Sequence, residues 1–173
     1  MRSERSVPWW SYLYAMTVST LFLLVVSAPS AQGQTVIATV PLSGGQGFYY
    51  MAVNPVTNKI YVANGSNLTV IDGATNSTVT IPGAGGPLAV NSATNKIYVC
   101  KGSNLTVIDG ATNAITTVTD PNVIGPMGPV GIAVNPVTNK AYVANADANN
   151  DITVIDGATD STTTITDKKA ASP

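Results

Sequence analysis

From Met51 onward the apolar residues gather in short runs, each closed off by Asn, Pro, Gly, Asp or Thr. Four runs follow one another at Met51–Val53, Lys59–Ala63, Leu68–Asp72 and Ser77–Ile81. The same order returns at Leu88–Val90, Lys96–Cys100, Leu105–Asp109 and Ala114–Val118, and again at Ile132–Val134, Lys140–Ala144, Ile152–Asp156 and Ser161–Ile165. Val, Ile, Thr and Tyr dominate these segments, the side chains that suit a pleated surface, so each is predicted to be a strand. Runs such as LTVID at 68–72 do not alternate cleanly between apolar and polar. Strands covered on both faces read that way.

The strands are copies of one unit. AVNPVTNKIYVANGSNLTVIDGATNSTVT begins at Ala52 and returns from Ala89 as AVNSATNKIYVCKGSNLTVIDGATNAITT. It returns once more from Ala133 as AVNPVTNKAYVANADANNDITVIDGATDSTTT. The starts lie 37 and then 44 residues apart. A period near forty holding four short strands is the arithmetic of a propeller blade. The chain is therefore read as all-β: a β-propeller of four-stranded antiparallel blades, three repeats over about 51–81, 88–118 and 132–165.

The turns carry their own chemistry. In Asn54-Pro55-Val56-Thr57-Asn58, Pro55 presets φ and the Asn side chains bond nearby backbone. In Asp72-Gly73-Ala74-Thr75-Asn76, the Asp accepts from backbone N–H groups and Gly73 supplies any positive φ. Asp72, Asp109 and Asp156 are thus read as turn residues, in preference to a catalytic or metal-binding ring. An up-and-down blade places both turn types at one end, which is nearly uniform between copies. Every length difference falls at the other end, in the links Pro82–Pro87 and Thr119–Val130 and in the hairpins Gly65–Asn67 and Ala146–Asp151. Insertions gathered on one face of a repeat protein often mark its binding face.

Composition adds constraints. Charged residues are only 10%, the net charge is −1, and no basic cluster lies outside Arg2 and Arg5, so nothing points to nucleic acid. Histidine is absent, which removes the commonest general base and metal ligand. Arg2 and Arg5 precede the apolar run Trp9–Val26, which ends in SAPSAQGQ, the layout of a cleaved signal peptide over residues 1–31. The run approaches the length of a membrane span, so an uncleaved anchor is the alternative, and only then is a membrane involved. Either way the repeats are expected outside the cytoplasm, secreted, periplasmic or at the cell surface. Without residues 1–31 the chain keeps six Lys against eight Asp. Cys100 is the only cysteine, so no internal disulfide can form. It stands where the other copies have Ala63 and Ala144, and is expected to be buried.

The motifs Tyr61-Val62-Ala63-Asn64 and Tyr142-Val143-Ala144-Asn145, each followed by TVIDGAT, resemble the YVTN family of β-propeller repeats over about residues 35–166. The resemblance implies an extracytoplasmic bacterial or archaeal propeller with more blades than the three present here. Ala63 and Ala144 replace the motif's Thr, and the middle copy reads Tyr98-Val99-Cys100-Lys101. Thr35–Val40 looks like a leading fourth strand, though the third copy already owns one, and residues 167–173 read as a disordered tail. Three blades cannot close a ring, so an open arc with two exposed apolar faces is expected. Self-association follows, with a dimer of arcs offering six blades as the specific expectation.

The functional expectation is an exported, noncatalytic scaffold that needs no cofactor and binds an extracytoplasmic protein or small ligand. A propeller-type lyase or hydrolase, and a fragment of a larger propeller, are the alternatives. On the variable end, Phe48, Tyr49, Tyr50, Asp147 and Asn150 are candidate binding-face residues. Asp147, Asn149 and Asp151 match the opening of a calcium loop, but its sixth-position glycine and closing Glu are missing. Asn64, Asn67, Asn76 and Asn104 fit the N-x-[ST] pattern, which arises easily in Asn/Thr-rich repeats.

Overall fold

The computed structural model describes residues 35–42, 49–102, 104–119, 129–145 and 151–166. The chain divides into two units, Met1–Thr39 and Val40–Pro173. The described part of the first, residues 35–39, contains no strand. The second holds three four-stranded antiparallel sheets. The first blade comprises β1 (Tyr49–Asn54), β2 (Lys59–Asn64), β3 (Asn67–Asp72) and β4 (Thr78–Pro82). The second comprises β5 (Leu88–Asn91), β6 (Lys96–Lys101), β7 (Asn104–Asp109) and β8 (Ile115–Thr119). The third comprises β9 (Pro129–Asn135), β10 (Lys140–Asn145), β11 (Ile152–Asp156) and β12 (Thr162–Ile165). Each sheet runs in sequence order, as an up-and-down blade does.

The leading strand expected at Thr35–Val40 does not form. Each repeat supplies all four strands of its own blade, so the segment has no vacancy to fill. The predicted leader at 1–31 and tail at 167–173 lie outside the described residues.

Period-two alternation explains how one strand serves two cores. In β6, Ile97 and Val99 point back to the first blade, where they meet Tyr61, Ala63 and Leu68. Tyr98 and Cys100 point forward to the third, against Ala141, Val143 and Ile155. The middle blade is packed on both faces, which is why LTVID at 105–109 buries its first four residues. The first link is part of this core: Ala84 is buried within the first cluster. Gly86, at φ 152°, lies so close to the carbonyl oxygen of Cys100 that no Cβ would fit. Close backbone approach, not a turn, demands glycine there.

The end faces differ from the internal ones. Tyr61 and Tyr98 are fully buried, whereas their counterpart Tyr142 is half-buried. Leu68 and Leu105 are buried, but Ile152 is 43% exposed; Ile81 is buried, but Ile165 is 55% exposed. At the opposite end of the row, Met51 and Val53 are exposed, while Val62 and Ile71 of the same blade are buried. The forward face of the third blade is an internal surface without its next blade.

Candidate functional site

The uniform end of the blades is occupied by the joints between them. Asn54 Oδ1 accepts from Val56 N at 3.0 Å and holds its own turn, while Asn54 Nδ2 donates to Asn95 Oδ1 of the next blade at 2.9 Å. Asn91 repeats this, accepting from Ala93 N at 3.1 Å and donating to Asn139 Oδ1 at 2.8 Å. The Asn amide gives an acceptor to its own turn and a donor to the next blade, a pairing that an ionised Asp, acceptor only, could not make. Lysine makes a second joint: Lys59 Nζ donates to Gly110 O at 2.8 Å, and Lys96 Nζ to Gly157 O at 2.8 Å and to Asp160 Oδ1 at 2.9 Å.

The glycines of the DGAT turns fit under this joint. A Cβ on Gly110 would lie 2.7 Å from Asn95 O and nearer still to Asn95 Oδ1, and Gly73 and Gly157 stand in the same relation to Asn58 and Asn139. The expectation that Gly73 supplies a positive φ is corrected: the left-handed residues are Asn76 (φ 60°) and its counterparts Asn113 and Asp160. Asn58, Asn95 and Asn139 are left-handed as well. Glycine is needed because the facing Asn sits where a side chain would begin.

The aspartates of the DGAT turns are held by their own turns, and Tyr98 and Cys100 are buried. Asp72 Oδ1 accepts from Ala74 N, Thr75 N and Thr75 Oγ1 at 2.9, 2.9 and 3.0 Å. Asp109 does the same with Ala111 and Thr112, and Asp156 takes the N–H groups of Ala158 and Thr159. These bonds hold all three carboxyls below the usual aspartate value. Burial pushes the Tyr98 phenol up to about 12, with the charges of Asp160 and Asp156 adding to it. Burial likewise raises the Cys100 thiol to about 12. Lys101, beside it in sequence, is exposed on the other face and does not activate it.

The opposite end shows one local difference between blades. Asn64 and Asn145 close β2 and β10 and are both buried. Asn145 Nδ2 donates to Asp151 Oδ1 at 2.6 Å and to Thr153 Oγ1 at 3.0 Å. In the middle blade this position is Lys101, which is exposed and donates to Gly83 O at 3.4 Å. Thr106, the counterpart of Thr153, thereby borders an open cleft of about 480 Å³ whose walls include Lys101, Asn104, Thr117 and Gly83. The cleft presents one ammonium, an amide and hydroxyls. Such a lining suits a ligand rich in acceptors or carrying negative charge.

Of the candidate binding residues, Tyr50 lies in β1 opposite Ala63, on this same end, and is 38% exposed. Tyr49 forms the start of β1, opposite Asn64. Phe48, Asp147, Asn149 and Asn150 lie outside the described residues. Asp151, from the calcium candidates, is buried and bonded to Asn145. Lys101, Thr106 and Thr117 were not singled out as a site by sequence reasoning, and Asn104 only as one of four N-x-[ST] matches. The available signal was the change of Asn to Lys in one copy of three.

No protein-family model matches the sequence, and no curated protein matches it either. Solved structures do match in fold. The structure of U3-55K is 16% identical, with a TM-score of 0.59 over 72% of this chain and 41% of that one. In the nidogen/laminin complex a chain is 15% identical, with a TM-score of 0.56 over 69% of this chain and 48% of that one. The β-propeller domain of Myceliophteria thermophila Cps50 (Swd1) is 12% identical, with a TM-score of 0.58 over 78% and 44%. At these identities the likeness establishes the fold, a β-propeller. The chain spans less than half the length of each of these neighbours.

Proposed function

We propose that the chain is an exported, noncatalytic propeller-repeat protein of the YVTN type. It serves as an interaction scaffold outside the cytoplasm and engages its ligand through the hairpin end of the blades. One observation supports the reading above others. The uniform end is spent on Asn and Lys joints between blades, whereas the variable end carries the open cleft at Lys101. Repeat proteins commonly place recognition on the face where copies diverge. Propeller-fold neighbours such as the RRP9 WD40 repeats support the scaffold architecture.

The test is a binding screen of the full chain against acidic oligosaccharides and peptides, read by calorimetry and repeated on Lys101→Asn. Asparagine at 101 should be buried as Asn64 and Asn145 are, removing the ammonium from the cleft without harm to the fold. A ligand lost in Lys101→Asn bears out the proposal. Binding confined to the NPVTN end, or turnover of any bound compound, would overturn it.

A further inference from the structure

We propose that the forward face of the third blade docks head-to-tail onto the rear edge of the first blade of a second copy, through the Asn and Lys hydrogen bonds that link the blades within one chain at their uniform end. The inference is independent of the ligand-binding reading and rests on matched, unused halves of that joint. At both internal junctions the preceding blade offers one Asn Nδ2 and one Lys Nζ, and the next blade offers one Asn Oδ1 and one Gly carbonyl. The donor Asn is fully buried in both cases, Asn54 and Asn91 alike. Their third-blade counterpart, Asn135, is exposed, though its Oδ1 still accepts from Val137 N at 3.0 Å. Lys140, the counterpart of Lys59 and Lys96, is exposed too.

The acceptor side shows the mirror situation. Gly110 and Gly157, covered by the preceding blade's lysine, are buried, but Gly73 of the first blade is exposed. Asn95 and Asn139 are half-buried, but Asn58 is exposed. The third blade thus carries both donors without a partner blade, and the first blade carries both acceptors. Asn58 holds the left-handed conformation of Asn95 and Asn139, so its acceptor is already posed. The apolar surfaces agree: Ile152 and Ile165 are exposed on the donor face, and Met51 and Val53 on the acceptor face. Val62 and Ile71 are already buried, so docking engages the inner rim and the turn end of the first blade.

The contact is heterologous, joining two different surfaces, so it either closes or propagates. Two copies joined at both ends present six blades, within the range of about four to eight over which propellers close. Closure leaves no donor or acceptor half unused.

One asymmetry supplies the test. Lys96 finds a carboxylate at Asp160, but the matching residue on the first blade is Asn76, left-handed like Asp160 and tolerant of the exchange. Asn76→Asp would give Lys140 of the other copy an ion-pair partner. Sedimentation velocity over a dilution series of the full chain should show a monomer–dimer equilibrium. Asn76→Asp should tighten it by about two- to thirty-fold, the worth of the two exposed pairs that a dimer joined at both ends gains. Lys140→Met should weaken it and abolish the gain from Asn76→Asp, and both variants should keep the parent's circular dichroism. A chain that stays monomeric at its highest soluble concentration overturns the proposal. So does association that ignores both substitutions, as contact through the apolar N-terminal run would.

Discussion

Alanine at Gly110 should cost far more than alanine at Gly73, although the two glycines occupy the same turn with the same local crowding. At either site the new Cβ would meet the facing Asn side chain and lie within 2.8 Å of that residue's backbone oxygen. Both substitutions strain a turn bond, Gly110 N to Asn95 O or Gly73 N to Asn58 O, each 2.8 Å. At Gly110 two further bonds depend on the same atoms: Asn54 Nδ2 to Asn95 Oδ1, and Lys59 Nζ to Gly110 O. At about 0.5–1.5 kcal/mol per bond, Gly110→Ala should cost about 2–4 kcal/mol and Gly73→Ala about 1–2. The difference is about 3–8 °C in Tm for a domain of this size. Urea unfolding in dilute solution reads both, and Gly157→Ala should behave like Gly110→Ala because Asn91 and Lys96 cover it. Equal losses at Gly73 and Gly110 would refute the reasoning, since only the neighbouring blade distinguishes them.

Acid should loosen the DGAT turns in a defined window. Asp72, Asp109 and Asp156 are held below the ordinary value of 3.8 by backbone donors, so their contribution is complete above about pH 4 and is lost as pH falls through the lowered folded-state values. Replacing all three by Asn keeps the turn acceptors and should flatten the fall in stability below about pH 4, measured by circular dichroism. An unchanged acid transition would count against these turns. The Cys100 thiol, 1% exposed and raised to about 12, should resist aromatic disulfide reagents at neutral pH until denaturant unfolds the second blade. Labelling of the folded chain at the rate of a free thiol would show that the forward core of the second blade is open.

Strand positions were legible because each run is short, β-branched and closed by turn residues, and a threefold repeat checks itself. Asp72, Asp109 and Asp156 were legible as turn residues for the same reason, since their partners lie two or three residues on. Gly73 was misread because its constraint comes from Asn58, which faces it across the blade end and is not a sequence neighbour. The double role of Asn54 was hidden for a related reason: half of it is performed on Asn95, forty-one residues away. Thr35–Val40 has the composition of a fourth strand, but the fourth strand that the third copy already showed in sequence leaves it no ladder to join. The cleft was visible in sequence only as Lys101 replacing Asn. It opens where Lys101 stands exposed in place of the buried Asn64 and Asn145.

The claim that the uniform turns join the blades is tested most directly by a double-mutant cycle across one joint. Asn91→Ala removes the donor, and Asn139→Gly removes the acceptor while keeping the left-handed backbone. Unfolding free energies of the two single variants and the double variant should reveal a coupling of about 0.5–1.5 kcal/mol, the worth of one hydrogen bond. The pair Asn135→Ala and Asn58→Gly, which face no blade within one chain, should be additive within about 0.5 kcal/mol in dilute solution. Additivity at Asn91 and Asn139 as well would contradict the account.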